Sequence, residues 1–423
     1  MHKRTIVLGM IWGATLLCAH TLNIDDLVQI ALRHSPDIRL GNYDLKSARQ
    51  NSWVAQSVRL PQVGLSIHAD REFDAVHDAS DTRTDTLEGT LSVTQLLYDF
   101  GRSSEEIASA REKEAVGRAK LRQLIADKVL QVKRRYYEAL KAKTMIRVHE
   151  EEVRLQRRQL YRAQKYLKSG IKTAVDVTDA KLGLQRAEKA LSDARYLYMM
   201  NRTLLEESLG TVPEKGRYRL YSRAGNPEDW QLPSGRWPLN RLLSYARKHR
   251  PILKGMEREI RSADALARSK ALHTLPKLEL YAESGAKATH PRSSTWNHEK
   301  VGVRMNWSLF SGYRESAEAE LARIESMKAR AYREQALLSL RKEVTQAYLN
   351  LKHMRKQFAL NRAISRRALK KFHQAQKRYA NDLADYLELE SARQDYINAL
   401  GDLVKSYFDF YIARAELDHA VGR

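Results

Sequence analysis

The chain has 423 residues, of which 30% are charged, with a formal net charge of +23 and a mean hydropathy of −0.57. By average hydropathy it reads as a soluble protein of two or three ordinary domains, unless it proves to be repetitive. Its excess of Lys and Arg is spread along the chain and forms no single basic tail, which points to solvated helix faces near anionic lipid or cell wall and fits poorly with binding nucleic acid.

In chain order, Lys3 and Arg4 precede an apolar run from Ile6 to Cys18 that is too short to span a bilayer and ends at Leu17-Cys18-Ala19. Residues 1–19 read as a secretory signal peptide. An alternative makes Cys18 the acylated first residue of a lipoprotein, but Leu16 and Leu17 are bulky where that processing prefers small side chains. A cut after Ala19 removes Lys3, Arg4 and the single cysteine, lowers the formal charge from +23 to +21, and leaves neither a disulfide nor a cysteine metal site.

The remainder matches itself. HSPDI at 34–38 aligns with HRPIL at 249–253, LPQVGLSI at 60–67 with LPKLELYA at 275–282, LLYDFGRSS at 96–104 with LFSGYRES at 309–316, and AQKYLKSG at 163–170 with AQKRYAND at 375–382. The offset stays nearly constant, so this is an internal duplication. The expected organisation is N-terminal helices over 20–60, a strand pair over 61–100 and a long helical hairpin over 101–208. After an irregular linker, 209–238, come short helices over 239–275, a second strand pair over 276–311 and a second long hairpin over 312–423.

The strand segments alternate. Leu87, Gly89, Leu91, Val93 and Leu97 are apolar or small while Glu88, Thr90, Ser92 and Thr94 are polar, and the same period of two runs through Val63, Leu65, Ile67 and Ala69. It recurs in Leu278, Leu280, Ala282 and in Val301, Val303, Met305, Trp307, Leu309. Each strand is expected to be about ten residues long. Aromatic residues at the two ends, Phe73 and Trp296 near the loops and Tyr98, Phe100, Trp307, Phe310 and Tyr313 near the helices, are spaced as two interfacial girdles of a membrane barrel would be.

The helical segments carry a heptad seam: Leu337, Leu340, Val344, Ala347, Leu351, Met354, Phe358, then Ala368, Phe372, Ala375 and Tyr379. Leu121, Ile125, Val129, Val132, Tyr136 and Ala139 repeat it more loosely. The return helices carry it in Val177, Ala180, Leu184, Ala187, Leu191, Ala194, Tyr198 and in Leu389, Ala392, Tyr396, Ala399, Leu403. From Arg102 to Lys168 the pattern would make about 100 Å of helix.

Four strands cannot close a barrel, and open edges in lipid would leave backbone groups unpaired. Three subunits giving four strands apiece would close a barrel of twelve, with the helices continuing from it as a cylinder. Gly101 and Gly312 would then be the hinges between strand and helix, since glycine permits backbone angles that other residues avoid.

These residues resemble the outer membrane efflux protein family, the TolC-like outer membrane factors. The resemblance covers nearly the whole mature chain: the duplicated unit, the glycine phrases, the junctions at Pro61 and Pro276, and the tips KYLKSGIKTAVDVTDAK (165–181) and KRYANDLADYLELESAR (377–393). The second tip departs from the family in placing Asp382 where glycine is usual. The resemblance implies a mainly α fold with a membrane β portion: a homotrimer with a shared twelve-stranded outer membrane barrel and an α-helical periplasmic tunnel of antiparallel coiled coils. It further implies docking to a periplasmic adaptor and to an inner membrane pump of RND or ABC type, and passage of small molecules, metal ions or polypeptides. Carried over by position, Asp176, Asp179 and Glu388 would line the entrance. Lys172 holds a spacing at which the second family tip carries a gating arginine, a place taken by Ala384 in the second tip here. Tyr166, Gly170, Tyr379 and Asp382 would belong to the adaptor-docking tips. Against the gate role, an acid early in a helix most often serves the helix dipole.

No catalytic constellation is present. The thirteen histidines contain no pair at i, i+4, and there is no HExxH, GxSxG, Walker or dinucleotide glycine loop, so no enzyme activity, cofactor or metal is expected. The rival reading is an exported structural coiled coil or a periplasmic adaptor, which would leave the envelope without detergent.

Overall fold

Asn23, Thr173 and Asp385 each stand just before a helical stretch, and the side chain of each accepts a hydrogen bond from a backbone N–H of the helix that follows. A computed structural model of the protein describes residues 21–74, 82–170, 173–221, 225–235, 238–290, 294–381 and 383–423. The signal-peptide segment, Cys18, Lys172 and Asp382 lie outside the described residues.

The element order repeats as the sequence does. The first copy comprises β1 (Thr21–Leu22), α1 (Ile24–His34), α2 (Pro36–Ser57), β2 (Gln62–Asp74), β3 (Thr82–Tyr98), α3 (Arg102–Lys168) and α4 (Ala174–Leu209). After the short β4 (Arg219–Leu220) come α5 (Leu239–His249), α6 (Pro251–Ala271), β5 (Lys277–His290), β6 (Ser294–Asn306), α7 (Arg314–Ala380) and α8 (Tyr386–Val421). The two long helices are 67 residues each and the two return helices 36 each, so the duplication preserves helix length to the residue. No helix among the described residues is long and apolar enough to cross a membrane.

The described residues form two compact units, one within 21–36, 128–235 and 349–416, the other within 37–127, 236–348 and 417–423. In the first, every seam position expected on α4 and α8, and those on α3 and α7 that fall within it, is buried or half-buried. Its core joins Leu27, Val132, Tyr136, Leu205, Leu403 and Val404. The linker adds to that core, because Trp230 is buried with its ring 4.3 Å from that of Tyr407, and β4 pairs in parallel with β1.

The second unit holds one antiparallel sheet in the order β2-β3-β5-β6. The strands have 13, 17, 14 and 13 residues, longer than the ten expected. Pairing continues past the apolar stretch into polar ends such as Arg71 opposite Asp85, where hydropathy alternation gives no signal. Strand parity puts Val63, Leu65 and Ile67 beside Val93, Leu91 and Gly89, and Leu278, Leu280 and Ala282 beside Met305, Val303 and Val301. That apolar face is bare in the protomer, with Leu65 71% and Val301 79% exposed, and β2 and β6 are each paired on one side only.

Packing between the repeats is close within this unit. Ser109 on α3 and Ser262 on α6 share a buried 3.0 Å hydrogen bond, and a Cβ on Gly255 would come within 3.1 Å of Ala119. Around that contact Arg258 pairs with Glu112 and Arg268 with Glu105.

Candidate functional site

The strand-to-helix junctions are built from paired left-handed residues. Phe100 and Gly101 have φ of +55° and +92°, and Gly312 and Tyr313 have φ of +66° and +63°. One glycine in each pair lowers the strain of a reversal that needs two successive positive φ values. At the first junction Asp99 accepts from the N–H of Ser103 at 2.7 Å and so caps α3.

The aromatic residues divide unexpectedly. Phe73 shares parity with Val63 and Leu65. A bulge at Leu97 lets Tyr98 pair with Leu278, which brings its ring to the apolar face and to within 4.8 Å of Phe100. Strand β6 ends at Asn306, so Trp307 and Phe310 lie beyond it; the Trp307 indole N–H donates to the Thr274 carbonyl at 3.0 Å, and Phe310 stacks edge-on against Tyr313. Trp296 has the opposite parity to Val301 and Val303. It pairs with Lys287 and lies 5.0 Å from the His298 ring, on the polar face of the sheet and away from the expected lipid girdle.

At the first hairpin tip, α3 runs out at Lys168 and Gly170 turns the chain with φ of +70°. Thr173 and Asp176 form a capping box: Asp176 accepts from the Thr173 N–H at 2.9 Å and Thr173 Oγ1 accepts from the Asp176 N–H. The helix-stabilising reading of Asp176 is thus realised, while Asp179, one turn further, is exposed. Tyr166 is half-buried on the α3–α4 surface.

The second tip is held differently. Arg378 donates to Glu388 at 2.7 Å and to the Leu383 carbonyl at 3.2 Å, clipping the end of α7 to the start of α8. Tyr379 is buried among Phe372, Ala375, Leu389 and Ala392, so its ring shapes the tip from within and offers no open surface in the protomer.

Above the tips lies a polar cluster the sequence reading did not single out. Arg393 on α8 donates to Glu152 on α3 at 2.9 Å and to both oxygens of Glu390, and both Arg393 and Glu152 are buried. Gln156, fully buried, donates to Glu390, and His149 meets Glu152 at 3.0 Å. Burial works against the Glu152 carboxylate, but hydrogen bonds from His149 and Arg393 outweigh it and hold its pKa below the ordinary value. The nearby Tyr386 hydroxyl is pushed up to about 12, first by burial and then by the charge of Glu390, with Arg393 opposing and Asp179 adding a smaller push. A Cβ on Gly183 would sit 2.9 Å from the Gln156 amide, so this small residue lets α4 approach α3. The missed signal was polar: Glu152, Gln156 and Arg393 stand at core positions of a coiled coil, where a heptad search counts only apolar residues. Among the described residues no three His, Cys, Asp or Glu side chains come together as a metal site requires.

A four-stranded sheet with a bare apolar face, joined through αL hinges to two equal helical hairpins, is the subunit fold of a TolC-like channel. The sequence matches the family described as outer membrane efflux protein over residues 27–211 and 242–423, and the chain belongs to that family. It is similar to Protein CyaE of Bordetella pertussis, 24% identical over 78% of this chain and 70% of that one. It is also similar to the outer membrane efflux protein BepC of Brucella suis, 23% identical over 88% of this chain and 79% of that one. Among solved structures, the outer-membrane channel OprN superposes with a TM-score of 0.80 at 19% identity, covering 94% of this chain and 89% of that one. The family is one of channel proteins. The chain is accordingly an outer membrane protein with a long helical periplasmic portion.

Proposed function

We propose that three copies of this chain form the exit duct of a tripartite efflux or type I secretion system. Each contributes four strands to a shared twelve-stranded barrel. Cargo, whether small molecules, metal ions or polypeptides, comes from an inner membrane pump of RND or ABC type through a periplasmic adaptor. The observation that carries this reading is the sheet: among the described residues its two edges each lack a partner and its apolar face is exposed, a combination that lipid tolerates only when the edges close on other subunits. The chain itself performs no catalysis in this scheme.

In the proposed resting state the tips narrow the entrance, with Asp176, Asp179 and Glu388 facing it and Lys172 as a counter-charge. Tyr166, Gly170 and Asp382 belong to the adaptor-docking end, which Tyr379 supports from inside. Phe73, Tyr98, Phe100, Trp307, Phe310 and Tyr313 meet the lipid boundary, while Gly101 and Gly312 carry the change from strand to helix. The test is the mass of the detergent-extracted protein together with its conductance in planar bilayers. The expected result is a species three times the chain mass that forms stable pores; a monomer released by salt alone refutes it.

A further inference from the structure

Trp296 is the aromatic residue that the lipid girdle leaves unused. It stands on β6 with the parity of His298, Lys300, Gly302 and Arg304, opposite to that of Val301 and Val303, and is 50% exposed. Directly across from these five on β5 are Lys287, Gly285, Glu283, Tyr281 and Glu279 in turn. In the channel reading the apolar face of the sheet meets lipid, so this polar face is the one that a closed barrel turns to its lumen.

Two of the rings have a structural reason to be there. A Cβ on Gly285 would come within 2.5 Å of His298, and one on Gly302 within 2.9 Å of Tyr281, so each ring lies across a facing glycine and fills the space its missing side chain leaves. Arg304 in turn lies 4.5 Å over the Tyr281 ring. Trp296 has no such duty, since Lys287 and not a glycine faces it, and its ring extends the file to 5.0 Å from His298. From Trp296 to Arg304 the file runs about 27 Å along the strand.

The charges beside it do not cancel. On this face β5 and β6 carry Lys277, Lys287, Lys300 and Arg304 against Glu279 and Glu283. Glu279 is matched by Lys277 at 2.8 Å and Glu283 by Arg304 at 3.8 Å. Lys287 and Lys300 have no ion pair among the described residues. By register they flank the two rings, Lys287 across from Trp296 and Lys300 two residues beyond His298. The acid that competes is Glu88, opposite Lys287 on β3; Asp70 and Glu72 stand one and two rows nearer the loops.

We propose that Trp296 and His298, flanked by Lys287 and Lys300, form a binding site in the barrel lumen for planar aromatic anions. The ligand's ring stacks on the indole and imidazole, and its carboxylate or sulfonate reaches one of the two ammonium groups. Any planar ring offers a π face, so the site is tolerant of ring structure and selective for charge. This deepens the channel reading by naming a class of cargo, and rests on that reading for the enclosure of the polar face.

The probes are naphthoate, the cation naphthylmethylammonium with the same ring, and cyclohexanecarboxylate with the same charge and no planar ring. Dwell times of block are read from single channels in planar bilayers, and equilibrium dialysis on the detergent-extracted oligomer gives affinities without need of a pore. Naphthoate should block about tenfold longer than either companion, the size expected of one stacked ring. Trp296→Ser should remove its advantage over cyclohexanecarboxylate, and Lys287→Gln combined with Lys300→Gln should remove its advantage over the naphthyl cation. Glu88→Gln should lengthen the block. None of these four side chains is buried. Equal dwell times for the three probes, or Trp296→Ser without effect, overturns the proposal. So does a variant with Trp296 as its sole tryptophan that iodide quenches in dissociated subunits and not in the oligomer, which assigns the ring to the seam between subunits. Pores indifferent to naphthoate sink only the site; Trp296-dependent naphthoate affinity in a protein that forms no pores sinks only the channel reading.

Discussion

Replacing Arg393 by Met removes the cation from the buried cluster between α3 and α8 while keeping an unbranched apolar stem. Arg393 donates to Glu152 at 2.9 Å and to both oxygens of Glu390, one of them at 3.0 Å. Without it, among the described residues, Glu152 keeps His149 and Glu390 keeps Gln156 as side-chain partners. Removing one partner of a buried pair costs about 3–5 kcal/mol, and because the Glu390 side chain is 27% exposed the low end applies, about 3 kcal/mol. Amide hydrogen exchange in peptides spanning 145–160 and 386–400 reads this locally, and the expected acceleration is about a hundredfold when opening is pre-equilibrated. Combining Arg393→Met with Glu152→Gln and Glu390→Gln should recover most of the protection, since no buried charge is then stranded. Exchange in the single variant within about threefold of the parent would refute the claim that this cluster holds α8 to α3. The pH dependence has a definite sign. The Glu152 pKa is depressed in the folded chain, so its contribution is fully present above the ordinary value of 4.5 and is lost as pH falls through the lower folded value. Protection attributable to Glu152 should hold down to about pH 5 and fail in more acid solution.

Three further outcomes are expected. Neutralising the tip acids together, Asp176→Asn, Asp179→Asn and Glu388→Gln, should change single-channel conductance or block by polyvalent cations; unchanged records in both would remove these residues from the entrance. Gly101→Ala and Gly312→Ala force a Cβ onto φ of +92° and +66°, at about 1–2 kcal/mol each, and should lower the melting temperature of the detergent-extracted protein, whereas Gly89→Ala, in open surroundings within β3, should not. A variant retaining Trp296 as its sole tryptophan should be quenched by iodide and not by brominated lipid; the reverse would contradict its polar-face parity.

The duplication, the helix and strand types and the coiled-coil seam were all legible in the residues, because each is a local or periodic property: 3.6 or 2 residues per repeat, and a constant offset between copies. Gly101 and Gly312 were legible for a similar reason, since a glycine between a strand pattern and a helix pattern has few other uses. What depended on pairing was not. The bulge at Leu97 that turns Tyr98 to the apolar face, and the parity that turns Trp296 away from it, are set by strand register, which alternation alone does not specify once a strand runs into polar residues. The clip from Arg378 to Glu388 and the cluster around Arg393 join residues that meet only after a hairpin folds or two hairpins pack, and any of the many arginines and carboxylates in this chain could have served. The sequence thus determined the elements and their duplication, through short-range periodicity. Only the tertiary structure decided which charges became partners and which face each strand end presents, because those choices depend on contacts between segments far apart in the chain.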